Sequence, residues 1–209
     1  LDYGTRSFQE DVLHADLSRR PFRVKTSERE VETHALIIAT GATAKRLNVP
    51  GEPRLWNHGI SACAVCDGAL PIFRNKDLVV IGGGDTAVEE ATYLTKFASK
   101  VYLVHRRNEL RASKIMQERA LKHPKIQLVW DTVLEDAEGT DRVTGAKLKN
   151  LKTGAARTLP CGGIFYAIGH EPNAKFLAGQ LETDEVGYIK VRPGRTLTSV
   201  EGVFACGDV

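Results

Sequence analysis

Two cysteines separated by two residues, Cys63 and Cys66, are the side chains of this sequence best suited to chemistry. The spacing lets both sulfurs meet across one turn, and such a pair can lower the pKa of one thiol until a reactive thiolate forms near neutral pH. Asp67 follows directly and could take or give a proton during thiol–disulfide exchange. Cys63, Cys66 and Asp67 are therefore the predicted catalytic residues of a redox site.

Half of a zinc site is the alternative interpretation of the same cysteine pair. Such a site needs two further ligands, and neither Cys161 nor Cys206 has a second Cys or His beside it at zinc-finger spacing. We therefore expect no metal. Cys161 and Cys206 are expected to be small residues of the hydrophobic core.

A glycine-rich turn forms the second candidate site. It follows the predicted strand 77–81, opens the predicted helix 85–97 and reads G-x-G-x-x-A, as the dinucleotide-binding fingerprint requires. The first glycine permits the tight turn, the second lets the backbone approach a pyrophosphate, and the alanine lets the helix pack closely on the strand. An ordinary strand-to-helix turn is the alternative. The predicted cofactor-binding residues of this turn are Gly82, Gly84, Asp85, Thr86 and Ala87.

A basic cluster at the end of the next predicted strand favours the dinucleotide interpretation. His105, Arg106 and Arg107 stand where an NAD site normally has an acidic residue, and Arg111 follows four residues later. Guanidinium groups at this place would hold the 2′-phosphate of NADP by charge-assisted hydrogen bonds. The alternative is that the cluster is only a solvated basic face at a helix N-terminus. This alternative is disfavoured, because positive charges at that end oppose the helix dipole. The sequence therefore predicts NADP(H) rather than NAD(H).

The elements that position these residues alternate between strands and helices, which predicts an α/β fold with a parallel sheet. The nearly continuous apolar run 35–39 predicts a buried strand. A loop over 46–58 separates a first block, 1–45, from a second, 46–169, and a third block covers 170–209. The predicted strands are 22–26, 31–40, 77–81, 101–104, 126–133, 143–151 and 163–168, and the predicted helices are 85–97 and 112–122.

Composition excludes several functional classes. The chain has 209 residues, of which 42% are hydrophobic and 26% charged, as in an ordinary globular protein. Its net charge of +3 is not concentrated in a block of like charges, so no nucleic-acid partner is expected. No apolar run reaches the roughly 18 residues of a membrane span, so no membrane partner is expected.

The sequence shows no targeting segment; the expected compartment is the cytoplasm, with mitochondrion and plastid as alternatives.

Six stretches taken together resemble the low-molecular-weight NADPH-dependent thioredoxin reductases, especially the plant and algal type. They follow one another in the order of that family and extend over essentially the whole chain. The stretches are residues 61–68, 80–87, 105–107, 111–114, 168–173 and 202–209.

The resemblance implies a two-domain pyridine-nucleotide disulfide oxidoreductase. A Rossmann-like NADPH domain, 46–169, carrying the redox pair would be inserted in a partial FAD domain made of 1–45 and 170–209. Electrons would pass from NADPH through FAD to the pair and on to the disulfide of thioredoxin. By motif position, Cys66 would be the thiol beside the flavin, Cys63 the thiol that exchanges with thioredoxin, and Asp67 the acid/base.

The resemblance also implies further site residues and an assembly. Thr40 and Gly41, together with Gly207 and Asp208, resemble two of the family's FAD contacts, and the full-length protein is expected to be a homodimer. Swivelling of the NADPH domain would use hinges near 46–58 and 166–172. The turn that cradles the FAD pyrophosphate in the family is missing from the sequence, so the 209 residues alone are expected to bind NADP but neither to retain FAD nor to reduce thioredoxin.

Other functions stay open at this point. The flavoprotein subunit of an alkyl hydroperoxide reductase shares the Cys-x-x-Cys-Asp-Gly motif, and a chloroplast form of the family is fused to a thioredoxin domain. A relative that takes electrons from ferredoxin is disfavoured by the arginines. A non-catalytic NADP-binding module, whose cysteine pair is only a redox switch, is the alternative from a different class.

Overall fold

The chain forms two compact units. The computed structural model describes residues 4–209, so the first three residues of the predicted block 1–45 lie outside the described residues. The smaller unit combines the chain up to Thr43 with His170–Val209, and the larger unit is Ala44–Gly169. The sequence placed the first boundary after residue 45 and the second after residue 169.

Short strands predominate among residues 4–209. The strands are β1 (Val12–Asp16), β2 (Phe22–Thr26), β3 (Glu30–Thr33), β4 (Leu36–Ile38), β5 (Ala42–Ala44), β6 (Ile60–Ser61), β7 (Asp77–Gly82), β8 (Lys100–Val104), β9 (Ile126–Val129), β10 (Thr132–Glu138), β11 (Gly145–Asn150), β12 (Ala156–Pro160), β13 (Gly163–Ala167), β14 (His170–Pro172) and β15 (Val203–Ala205). The α-helices are α1 (Glu52–Leu55), α2 (Ala64–Asp67), α3 (Asp85–Leu94) and α4 (Lys114–Lys122).

A five-stranded parallel sheet is the centre of the larger unit. Its order is β6-β13-β7-β8-β9. The interior strand β7 is covered on both faces, so Leu78, Val79 and Val80 are all fully buried, which explains its unbroken apolar run. Helices α3 and α4 pack on one face, and the antiparallel sheet β10-β11-β12 packs on the other. The α/β fold predicted from the sequence is confirmed.

Helix α3 begins at the glycine turn and buries one face. Ala87, Ala91 and Leu94 are fully buried and recur at helical spacing, so this face packs on the sheet. The helix ends at Leu94, three residues earlier than predicted, where the chain continues in turns. Helix α4 starts at Lys114 instead of residue 112.

The smaller unit contains an antiparallel sheet β1-β2-β3 and the parallel pair β4-β15. Its core includes Phe22, Ile38 and Val203. The prediction of a single strand over 31–40, with the run 35–39 buried, is wrong. The structure divides this segment into β3 and β4, and Ile37 is 67% exposed because β4 buries only one face within the described residues.

Three further differences arise from local geometry. The predicted strand 126–133 is broken into β9 and β10, with Asp131 in the left-handed region at φ +50°. The predicted loop 46–58 contains the one-turn helix α1, and β12 was not predicted because its exposed residues show no apolar alternation. Within the described residues, no helix has the length and apolar character needed to cross a membrane.

Candidate active site

Cys63 and Cys66 form a disulfide at the start of helix α2. Cys63 is the N-cap of this helix, and its Sγ accepts a hydrogen bond from the backbone N–H of Cys66 at 3.2 Å. Cys63 is half-buried and Cys66 is exposed. The same N–H would stabilise negative charge on the Cys63 sulfur after reduction, because a hydrogen bond to a thiolate favours its ionised form.

Asp67 is joined to the redox pair by a serine that the sequence did not single out as a functional residue. The hydroxyl of Ser61 donates to Asp67 Oδ2 at 2.6 Å and accepts from the backbone N–H of Cys63 at 3.0 Å. Ser61 lies at the end of β6 and is 4% exposed. The structure therefore brings the three predicted catalytic residues together and places Ser61 in contact with two of them.

Helix α2 packs closely on helix α3. A Cβ on Gly68 would lie 2.5 Å from the backbone oxygen of Ala64 and 2.7 Å from Leu94 Cδ2, so a larger residue would not fit where α2 ends without a shift of the backbone. Glu90 of α3 interacts with the backbone of Ala64, the first residue of α2. Burial outweighs this contact and raises the pKa of Glu90 to about 7. Glu90 Oε2 is buried and has no hydrogen-bond partner among residues 4–209. Sequence reasoning missed Glu90, because only the tertiary fold places it against the redox helix.

The glycine turn has the close contacts that its spacing predicts. A Cβ on Gly82 would lie 2.7 Å from the Cβ of Ala87, which is fully buried, so the helix packs directly on the turn. A Cβ on Gly84 would meet no atom within 4 Å, which leaves room for a ligand to approach this backbone. Thr86 is exposed on the first turn of α3. Asp85 is also exposed, and its carboxylate accepts from the N–H of Ser113 at 2.7 Å.

The basic cluster lies beside the glycine turn. The carbonyl of Gly83 accepts hydrogen bonds from the N–H groups of Arg111 and Ala112, at 2.7 and 3.1 Å. Arg106, Arg107 and Arg111 are exposed, and none of them is in an ion pair within residues 4–209. The cluster therefore presents three positive charges that no carboxylate of the described residues pairs with.

A cavity of about 270 Å³ connects the turn to this cluster. Its polar wall includes Gly82, Gly83 and Arg106, and Leu47 and Ile168 belong to its apolar wall. His105 also lines it and is 6% exposed. Burial, followed by the positive charges of the neighbouring arginines, lowers the pKa of His105. Its Nε2 is buried, and no atom of the described residues forms a hydrogen bond with it.

The predicted flavin contacts lie at one edge of the smaller unit. Strands β4 and β15 are parallel neighbours, so the segments that follow them, with Thr40 and Gly41 in one and Gly207 and Asp208 in the other, emerge at the same edge. Asn173, to which the sequence assigned no role, accepts at its backbone carbonyl from the Thr40 hydroxyl at 2.8 Å and donates its N–H to the Gly41 carbonyl at 2.9 Å.

Asp208 itself is exposed and interacts with Tyr188. Desolvation, followed by the charge and hydrogen bond of Asp208, raises the pKa of the Tyr188 phenol. The aspartate that the resemblance assigns to the flavin therefore already has a hydrogen-bonding neighbour, the Tyr188 phenol.

The two remaining cysteines differ in environment. Cys161 is 7% exposed, and burial raises the pKa of its thiol to about 12. Cys206 is exposed, so the expectation that it belongs to the core is wrong: it directly follows β15, where the chain leaves the covered part of the sheet. In the part of the chain that the structure describes, no group of three or more His, Cys, Asp or Glu side chains could hold a metal ion.

Comparison with known families agrees with this arrangement. Residues 4–209 match the family model described as "Pyridine nucleotide-disulphide oxidoreductase". The chain belongs to this family. The pyridine nucleotide-disulphide oxidoreductase fold predicted from the sequence is therefore confirmed.

Similar members of the family carry more specific names. A curated relative from Dictyostelium discoideum, "Thioredoxin reductase", is 56% identical over an alignment of 209 positions that covers 99% of this chain and 66% of the relative. "Thioredoxin reductase 1, mitochondrial" from Arabidopsis thaliana is 53% identical over 99% of this chain and 57% of its own length. The solved structure "Thioredoxin reductase from Giardia duodenalis" has a TM-score of 0.84 at 47% identity, over 98% of this chain and 67% of that one. The chain thus spans less than two thirds of the length of these curated relatives.

Proposed function

We propose that the chain supplies the NADPH-binding and disulfide-exchanging parts of a thioredoxin reductase. The observation that carries the proposal is the Cys63–Cys66 disulfide, whose Cys63 is hydrogen-bonded to Ser61 and through it to Asp67. The same unit contains a glycine turn whose cavity is also lined by Arg106 and Arg111. The names of the relatives support this activity over an alkyl hydroperoxide reductase or a non-catalytic redox switch.

NADPH fits the residues of the larger unit. The open backbone at Gly84, at the start of α3, would accept the pyrophosphate, because the N–H groups at a helix N-terminus favour phosphate. Arg106, Arg107 and Arg111 would hold the 2′-phosphate, since no carboxylate of residues 4–209 neutralises them. The buried Nε2 of His105 is an orphaned polar atom in the cavity wall that a ligand could satisfy.

The residues at the edge of the smaller unit fit FAD and would form part of its binding site. Thr40, Gly41, Gly207 and Asp208 would contact it there, with Asp208 accepting hydroxyl donors of the ribityl chain. When bound, FAD would carry two electrons from NADPH to the disulfide. Asn173 would keep the first of these segments in place through its bonds to Thr40 and Gly41.

The redox pair would perform two successive exchanges. After the pair has taken two electrons and two protons, the Cys63 thiolate attacks one sulfur of the thioredoxin disulfide; that disulfide breaks, and its other sulfur leaves with the electron pair and takes a proton. Cys66 then attacks the Cys63 sulfur, the intramolecular disulfide forms again, and the second thioredoxin thiol leaves. Asp67 would deliver and accept the protons of these steps.

Thioredoxin is the proposed partner, and the full-length protein is proposed to be a homodimer. We also propose a cytoplasmic location, with the mitochondrion and plastid as alternatives.

The decisive experiment uses the full-length protein that contains this sequence. It is incubated with NADPH and oxidised thioredoxin, and NADPH consumption and thioredoxin thiols are measured together. We expect one thioredoxin disulfide reduced for each NADPH oxidised, and no thioredoxin reduction by Cys63→Ser. Thioredoxin that stays oxidised, or a Cys63→Ser variant as active as the unchanged protein, would overturn the proposal.

A further inference from the structure

We propose that Ser61 is a positioning residue for the redox site, which orients Asp67 for proton exchange and fixes it to the backbone of Cys63. This inference rests on the proposed function, because it concerns the acid/base group of the disulfide. It assigns a role to a buried hydroxyl that none of the exchange steps above uses directly.

The hydrogen-bonding capacity of Ser61 determines its role. A hydroxyl has one proton to donate. The contact with Asp67 Oδ2, at 2.6 Å, is much shorter than the alternative contact with the Cys63 carbonyl at 3.5 Å. The hydroxyl of Ser61 therefore donates its proton to the Asp67 carboxylate, in a short charge-assisted hydrogen bond. A lone pair then receives the N–H of Cys63 at 3.0 Å, so a single oxygen joins the acid/base residue to the first cysteine.

The position of Ser61 is fixed by its strand, β6, in the parallel sheet. Ser61 pairs with Phe165 in the register of β6 and β13, and Phe165 is fully buried. Helix α2 has only four residues, and its last residue is Asp67. The backbone of Asp67 is set by the bond from its N–H to the Cys63 carbonyl at 3.1 Å, but this bond does not orient the side chain. The Ser61 hydroxyl supplies that orientation.

The bond to Ser61 also differentiates the two carboxylate oxygens. Oδ2 is occupied by the hydroxyl, whereas no hydrogen bond within residues 4–209 reaches Oδ1. A cavity of about 110 Å³ lies beside Asp67, with Ser61, Asn57 and Leu70 among its lining residues. Because Oδ2 is occupied by the hydroxyl, Oδ1 is the oxygen assigned to proton exchange.

The test measures disulfide reduction by dithiothreitol in the 209-residue chain, without NADPH, FAD or thioredoxin. The exposed Cys206 is replaced by Ser in every variant, whereas Cys161 is retained because burial keeps its thiol protonated. We expect Ser61→Ala to slow reduction of the Cys63–Cys66 bond about tenfold, a part of the 10²–10⁴-fold that a positioned acid/base group contributes. Ser61→Thr retains the hydroxyl and should restore most of the rate.

A double-mutant cycle separates positioning from a purely structural effect. In the Asp67→Asn background, Ser61→Ala should change the rate less than about twofold, since the group that it orients has lost its proton-transfer function. Equal rate losses in both backgrounds, or no rescue by Ser61→Thr, would overturn the proposal. If Ser61→Ala shows no cooperative thermal unfolding, Ser61→Val replaces it in the same cycle, because valine has the shape of the threonine in Ser61→Thr, favours a strand and lacks only the hydroxyl.

The chain offers a matched control. Ser99 donates to Asp77 Oδ1, also at 2.6 Å, on the opposite end of β7 from the glycine turn. Ser99→Ala should leave the reduction rate unchanged. Because the assay omits nucleotide and thioredoxin, a failure of the thioredoxin reductase proposal leaves this result intact, and the reverse also holds.

Discussion

Asp85 on helix α3 accepts two hydrogen bonds from Ser113, one from its backbone N–H at 2.7 Å and one from its hydroxyl at 3.0 Å. Ser113 directly precedes helix α4. The contact therefore ties the helix that opens at the glycine turn to the end of the basic segment 105–111. Asp85, predicted from the sequence as a cofactor-binding residue, holds the arginine segment in position through this contact.

Asp85→Ala is expected to weaken NADPH binding and to destabilise the chain. Losing these bonds should lower the free energy of unfolding by about 1 kcal/mol, the usual net contribution of an intramolecular hydrogen bond. Affinity should fall because Arg111 is held less firmly beside Gly83. Calorimetric titration and urea unfolding measure the two effects. Asp85→Asn keeps an oxygen acceptor for Ser113 and should lose less NADPH affinity and less stability. Equal losses in Asp85→Ala and Asp85→Asn would show that the hydrogen bonds to Ser113 are not the cause.

Replacing Arg106 and Arg107 by Ala should change the choice of cofactor. Each charge-assisted hydrogen bond contributes about 1.5–3 kcal/mol, so NADPH affinity should fall about tenfold or more, whereas NADH affinity should hardly change. Binding titrations with both nucleotides measure this. Arg157→Ala, at an exposed position on β12, is the control. An equal loss for NADH and NADPH would show that these arginines do not contact the 2′-phosphate.

The two cysteines should give different spectra in the full-length protein with flavin bound. After reduction, Cys63→Ser should keep a thiolate–flavin charge-transfer band, because Cys66 is the thiol proposed to lie beside the flavin. Cys66→Ser should lose the band but trap a mixed disulfide between Cys63 and a thioredoxin variant that lacks its resolving cysteine. The band in Cys66→Ser instead would reverse the proposed roles.

The sequence could predict features that depend on residue spacing or on the order of the strands and helices. Gly82 and Ala87 are five residues apart, so spacing alone indicates their contact, and the order of strands and helices indicates the parallel sheet. Contacts made by folding were not predictable. Ser61 acts through Asp67 across the turn of α2, and Glu90 reaches Ala64 only because α3 packs on α2. The exposure of Ile37 depends on which face of β4 is covered, and an apolar run does not specify that.

Glu90 should make the stability of the chain depend on pH. Burial raises its pKa from an ordinary value near 4.5 to about 7, so the folded state binds this proton more tightly than the unfolded state. The resulting stabilisation is complete below pH about 4.5 and is lost as the pH rises through about 7. Above that pH, the folded chain contains a charged, poorly solvated carboxylate against the redox helix.

Glu90→Gln removes this ionisation, so the free energy of unfolding of the variant should no longer fall with pH as that of the unchanged chain does. The variant should become more stable relative to the unchanged chain between pH 5 and 8, by about 1–2 kcal/mol, a figure reduced because the carboxyl is not fully cut off from solvent. Urea unfolding at several pH values measures the difference. Glu89→Gln, at the adjacent exposed position on α3, is the control and should follow the unchanged chain. Parallel curves for Glu90→Gln and the unchanged chain would show that Glu90 ionises freely in the folded protein.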